Sequence, residues 1–294
     1  MDLRISEIMP GFGAAIEGWS PGVELDPSSV EDLRRAFDDF GVLVFRDVDV
    51  TAEDQRYLCG LLIGNEAPTD RAAAEANSHQ YSTRISNKDE DGNAPYGRLL
   101  FHADGMWSQN PQELLSLYGE EVEPPSVPTT YVSATRACER LSDDLRARIA
   151  GRTAVHTTGQ RERGGVDPAE LLQAERSAET SRSTPVELVH PRTGETILYV
   201  SQMMTAAIEG LAADESEALL EELFAVLYDD DHAFDHDWRG RDLVVWDNLA
   251  VQHGRGLLTQ AGTERSLRKV TAPRPSATVA AGVERPTFDR GTAG

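Results

Sequence analysis

The sequence predicts a mainly β protein with flanking helices, folded as a two-sheet jelly roll. Two observations lead there. Short apolar, β-branched runs such as those in "VLVFRDV", "ELLSLYGEEV", "TTYVSA" and "DLVVWDN" come from distant parts of the chain and are bounded by turn-rich segments. Convincing helical periodicity is confined to a few stretches. A jelly roll manages the edges of its sheets and leaves a cavity between them.

Taken in order, "SSVEDLRRAFDDFG" reads as a helix that opens at Ser29, places Leu33, Phe37 and Phe40 at helical spacing and closes at Gly41. "VLVFRDV" follows as a buried strand, and "TAEDQRYLCGLLIG" as a helix with Thr51 before an acidic first turn. The polar stretch that follows holds a short strand near residues 80–85. "GRLLFHADGMW" is a strand running into a turn, and "ELLSLYGEEV" and "TTYVSA" are strands separated by the Pro-rich "EPPSVP". "RACERLSDDLRARIAG" returns to helix. Residues 157–185 are long, polar and weakly patterned, a candidate lid insert. "HPRTGETILYVSQ" is a strand entered through a turn, "DESEALLEELFAVLYDD" an amphipathic helix, and "RGRDLVVWDNLAVQHGRG" and "RSLRKVTAPR" supply the last strands. Residues 1–272 read as one domain and 273–294 as a partly disordered tail.

The bulk numbers exclude several functions. The 294 residues carry 28 Lys+Arg against 50 Asp+Glu, a formal net charge of −22, and no basic patch suited to nucleic acid. No apolar run reaches membrane-spanning length and the N-terminus lacks a signal-peptide core. The two cysteines, Cys59 and Cys138, read as buried thiols in a reducing compartment. The expected setting is cytoplasmic, with a small-molecule substrate, no nucleic acid or membrane partner, and homo-oligomerisation left open.

In "FHADGMW" an apolar strand ends in His102 and Asp104, one residue apart. Extended residues i and i+2 share a face, so both side chains can enter one cavity while Ala103 points away. In "DLVVWDNLAVQHGRG" a second imidazole, His253, again stands just past an apolar strand. Two His and one carboxylate leave open positions on a metal and suit non-haem Fe(II). Spacing alone is a weak signal, since His-x-Asp also arises as a surface dyad. Among the other histidines, His232 and His236 read as solvated loop side chains, His190 as a structural part of the "HP" turn, and His79 and His156 as neighbours of the site at most.

Together "FHADGMW", "HPRTGETILYV" and the "W-RGRDLVVWDN----H" pattern resemble the taurine dioxygenase-like (TauD/TfdA) family of Fe(II)/2-oxoglutarate oxygenases, over residues 41–271. One departure is Arg241, where the family usually has Gly before the aspartate. The resemblance implies a double-stranded β-helix of the cupin-like, jelly-roll kind. It implies ligation of an Fe(II) cofactor by His102, Asp104 and His253, with 2-oxoglutarate and O2 consumed and succinate and CO2 released. The default outcome is hydroxylation of an unactivated C–H. Desaturation, cyclisation or oxidative cleavage would use the same site, and a non-catalytic homologue that binds metal or oxoglutarate is a further alternative. Halogenation is disfavoured because Asp104 is intact.

The family pattern also implies a cation for the far carboxylate of oxoglutarate, for which the planar guanidinium fork is suited. In "ERSLRKVT" the register places that role on Arg265, twelve residues after His253, with Arg268 as the alternative. Arg255 and Arg268 otherwise read as exposed charges at strand ends. The hydroxyl partner of the same carboxylate maps to Thr130, with Thr129 as its rival on the opposite face. Lys269, four residues after Arg265, and Arg98, four before His102, are candidate cations for an anionic substrate.

Overall fold

A computed structural model describes residues 3–63, 82–89, 92–108, 111–158, 161–163, 165–172 and 180–271. A seven-stranded sheet runs in the order β1 (Arg4–Met9), β2 (Phe12–Glu17), β3 (Val42–Phe45), β14 (Leu243–Asp247), β6 (Leu114–Val122), β16 (Arg265–Thr271), β4 (Ser82–Ser86). Only β2 and β3 pair in parallel; the other neighbours are antiparallel. A four-stranded sheet runs β13 (Ala233–His236), β7 (Thr129–Ser133), β15 (Val251–Leu258), β5 (Gly97–His102). Strands β12 (Thr205–Ile208), β8 (Thr153–Thr157) and β9 (Ser181–Pro185) form a third sheet, and β10 (Glu187–Val189) pairs with β11 (Thr196–Leu198).

Strand parity assigns each side chain to a layer. On β14, Val244 and Trp246 join Leu115, Leu117, Tyr131, Val251 and Leu267 in a core between the two larger sheets. Leu243 and Val245, on the opposite face, pack under α1 (Pro27–Phe40) and α2 (Ala52–Ile63) with Leu33, Phe37 and Leu58. A second core lies under α5 (Ala213–Leu227), where Leu220, Leu223 and Phe224 meet α3 (Ala134–Glu139) and α4 (Asp143–Ile149). The two large sheets with helices outside them match the jelly roll expected from the sequence.

Local chemistry fixes the helix ends. The Asp26 side chain, rather than Ser29, caps α1 by accepting from Ser29 N, and Gly41 ends it with φ 70°. Thr51 Oγ1 accepts from Asp54 N at the start of α2. The single helix expected over "RACERLSDDLRARIAG" is two, because Ser142 caps a new start by accepting from Leu145 N. Cys59 and Cys138 are buried free thiols. Of the insert at 157–185, β9 pairs with β8, and Arg163 is buried with its guanidinium on Glu217 at 2.6 and 2.7 Å. Residues 159–160, 164 and 173–179, the tail 273–294 and His79 lie outside the described residues.

His236 is corrected. It is not a solvated loop residue but a buried member of β13, packed edge-on against Trp238 with Nε2 3.3 Å from Asp242. His232 remains half-exposed beside Asp229. Arg241 has φ 68°, a left-handed conformation that a side chain strains, and this explains why glycine suits the position.

Candidate metal centre and co-substrate pocket

Strand β15 lies between β5 and β7 and puts His253 in register with His102 on one side and Tyr131 on the other. This pairing brings the two imidazoles to a ring separation of 4.3 Å, although half the chain lies between them. His102 Nε2 is 3.2 Å from Asp104 Oδ1, and donor atoms of His102, Asp104 and His253 all lie within 4.8 Å of one another. Ala103 turns away into the second core, as the alternation of an extended chain requires.

Neighbouring groups set the state of each donor. His102 Nδ1 lies 2.8 Å from the Leu100 carbonyl, a contact that orients the ring with Nε2 towards Asp104. Burial, then the nearby His102, holds His253 well below its ordinary pKa and therefore neutral, and its Nδ1 is buried without a hydrogen-bond partner. Burial alone would raise the Asp104 carboxyl, but the Lys269 ammonium ion-paired to it, followed by His102, holds it well below the usual range. The donor set is thus a neutral His253 imidazole, the His102 imidazole and an ionised carboxylate.

The backbone of Asp104 is clamped from 144 residues away. Asn248 Oδ1 accepts from Asp104 N at 2.9 Å, and Asn248 Nδ2 donates to Asp104 O at 2.9 Å and Gln112 O at 2.8 Å. Asn248 is held by its neighbour Asp247, whose carboxylate accepts from the backbone of Leu249 and Ala250. Asp247 also meets Arg192 and, at 2.9 Å, His190 Nε2. His190 Nδ1 accepts from Arg192 N and Thr193 N, so the "HP" turn is structural as expected. Burial would lower the His190 pKa; the Asp247 carboxylate outweighs that and raises it. Asn248 stands in the sequence only as the end of the "WDN" run, and nothing in its local pattern marks this role.

The donors open onto a cavity of about 210 Å³. Leu99, Leu117, Met203, Met204, Trp246 and Leu267 give it apolar walls, and Thr129, Arg255, Arg265 and Lys269 supply polar groups. On β16, Arg265, Leu267 and Lys269 share the cavity face. Arg268 is excluded as an oxoglutarate ligand: it projects to the helix side, stacks over Tyr118 at 4.6 Å and binds Gln55 and Glu120. Arg265 is 2% exposed and donates to Val127 O at 2.6 Å, with no carboxylate partner among the described residues.

Three further assignments are corrected. Thr129, not Thr130, lines the cavity; it is buried and its Oγ1 accepts from the Trp238 indole at 2.9 Å. Thr130 turns to the other face of β7 and bonds Asp235 on β13. Arg98 does not line the cavity; its guanidinium lies 3.5 Å from Glu170 Oε2. Arg255, read from sequence as an exposed charge, is 4% exposed and lines the cavity. Its position two residues after His253 on one strand was the signal for that placement. His156 is buried between Thr184 and Thr205, away from the metal donors.

Comparison with known proteins places this geometry. The chain is 26% identical over 290 residues to the alpha-ketoglutarate-dependent 2,4-dichlorophenoxyacetate dioxygenase of Cupriavidus pinatubonensis, covering 92% of this chain and 98% of that protein. It is 28% identical over 287 residues to pentalenolactone F synthase of Streptomyces arenae, covering 90% and 93%. A taurine dioxygenase structure from Burkholderia xenovorans superposes with a TM-score of 0.73 at 24% identity, covering 92% of this chain and 91% of that one, and so shares its fold. The model of the taurine catabolism dioxygenase TauD, TfdA family matches residues 4–271. With residues 4–271 of the 294 matched, this protein belongs to the TauD/TfdA family and is an Fe(II)- and 2-oxoglutarate-dependent dioxygenase.

Proposed function

We propose that His102, Asp104 and His253 hold the iron, that Arg265 and Thr129 receive the far carboxylate of oxoglutarate, and that the enzyme hydroxylates a C–H of a small anionic metabolite. The observation that carries this reading is the donor set itself: two imidazoles and one carboxylate on the wall of a cavity that also contains Arg265. These residues fit iron because the His102 imidazole, the His253 imidazole with its buried unpartnered Nδ1, and the ionised Asp104 are electron-pair donors of the right class gathered at one point. When bound, the metal supplies the oxidative decarboxylation of oxoglutarate and the oxidising power that breaks the C–H bond.

The chain's own contribution is positional. Asn248 fixes the Asp104 backbone and the Leu100 carbonyl fixes the His102 ring. Apolar walls from Leu99, Met203, Met204 and Trp246 keep water from the reacting carbon. Lys269 sits beside the metal donors in the same cavity, where its ammonium can share its charge between Asp104 and an anionic substrate. That the relatives are named for small molecules, one of them 2,4-dichlorophenoxyacetate, supports a small substrate carrying a carboxylate. Buried free thiols support a reducing, cytoplasmic setting, and no helix among the described residues is long and apolar enough to cross a membrane. Homo-oligomerisation is a matter for light scattering.

The test is succinate released from oxoglutarate under air, with and without Fe(II), across a panel of small carboxylates and sulfonates. His102→Ala, Asp104→Ala and His253→Ala should each abolish turnover and most Fe(II) binding. Full activity in any one of them overturns the ligand assignment. Lys269→Met should remove the substrate-stimulated part of succinate release and leave slow uncoupled release; equal stimulation in the variant removes Lys269 from the substrate site.

A further inference from the structure

Arg255 and Arg265 line one cavity, are 4% and 2% exposed, and lack a carboxylate partner among the described residues. Arg255 spends its terminal nitrogens on backbone carbonyls: Nη1 on Ala94 O at 2.8 Å, Nη2 on Gly97 O at 2.8 Å and Tyr96 O at 3.3 Å. Arg265 has one such bond, from Nη1 to Val127 O. In both, the Nε–H is buried and donates to nothing. Carbonyl oxygens satisfy hydrogen-bonding hydrogens but do not neutralise a charge. Two buried guanidinium groups at one end of a cavity therefore form a site that is electrically incomplete.

We infer that Arg255 is a second cation for the far carboxylate of oxoglutarate, so that one carboxylate is shared between Arg255 and Arg265. The inference rests on the oxoglutarate site proposed above. A carboxylate has lone pairs enough for both unused Nε–H donors, and one negative charge between two guanidinium groups turns their mutual repulsion into attraction for the ligand. Three carbonyl bonds hold Arg255 in place before the ligand arrives, so little side-chain freedom is lost on binding. The placement follows from strand parity: on β15, His253 faces the metal donors, and Arg255, two residues on, faces the same cavity.

The experiment is calorimetric titration of the Fe(II)-loaded enzyme without oxygen, using oxoglutarate and 2-oxovalerate, which has a methyl group where oxoglutarate has its far carboxylate. Arg255→Gln should raise the oxoglutarate Kd at least tenfold and change the 2-oxovalerate Kd less than twofold. Equal weakening of both ligands would show that Arg255 only anchors the 94–97 backbone, and an unchanged oxoglutarate Kd would show that it has no part in binding; either result overturns the proposal. An Arg255 role in holding the prime substrate would appear as that unchanged Kd with lost substrate stimulation. Should Arg255→Gln fail to fold, Arg255→Lys, which keeps the charge but not the fork, decides: at least a threefold rise confined to oxoglutarate is expected, and no rise overturns. A parent enzyme that does not bind oxoglutarate would instead refute the underlying site.

Discussion

Thr129 and Thr130 are neighbours of one type with opposite surroundings. Thr129 faces the cavity beside Arg265, whereas Thr130 bonds Asp235 on the far side of its strand. Thr129→Val removes a hydroxyl able to donate to a carboxylate, a loss of about 1.5–3 kcal/mol for a hydrogen bond to a charged group. The KM for oxoglutarate should therefore rise roughly tenfold or more, and Thr130→Val should leave it unchanged. Steady-state kinetics on the two variants checks both expectations. Arg268→Ala offers the complementary contrast: it opens the packing over Tyr118 and breaks bonds to Gln55 and Glu120, so the melting temperature should fall while the KM for oxoglutarate holds.

Among the elements, those that carry the proposed iron donors were the most legible as strands. An apolar strand ending in His-x-Asp, and another ending in His, announce themselves through alternation alone, and a family pattern fixed Arg265 by the register of Leu267. What was not legible depended on pairing. Choosing between Thr129 and Thr130 requires knowing which face of β7 looks inward, and β13, which makes His236 a buried residue, is too short and polar to stand out before it pairs with β7. The break between α3 and α4 was readable in principle, since Ser142 followed by Asp143 and Asp144 is a helix start. Arg241 illustrates a strain that propensity marks but pairing explains: its carbonyl accepts from Val48 N, its own N–H donates to Gly119 O, and its φ of 68° is held between them. Arg241→Gly should relieve about 1 kcal/mol of left-handed strain and raise the midpoint of urea unfolding, with kcat unchanged.

The stability of the whole molecule should depend on a histidine outside the catalytic apparatus. Burial brings His156 down to about 4, so in the folded protein it stays neutral between Thr184 and Thr205. Its unfolded value is about 6.5, so between those two values the unfolded chain binds the extra proton and stability falls as pH falls. Going from pH 7 to pH 5 should cost about 2 kcal/mol through this side chain. His190, whose folded pKa is raised, contributes with the opposite sign, so the measurement is the difference between parent and His156→Gln in urea midpoints at the two pH values. A variant that retains the full acid sensitivity of the parent would assign it to other groups.

The spacing along β16 has a last consequence. Arg265 and Lys269 share a face four residues apart, which at the rise of a strand places their backbones about 13 Å from each other. The strand thus works as a ruler laid between Arg265 and the proposed iron donors beside Lys269. Loops around it can lengthen or shorten over generations without altering the interval. Losing a single residue between the two marks would turn one of them over to the helix side, so this short interval has no tolerance for insertions or deletions.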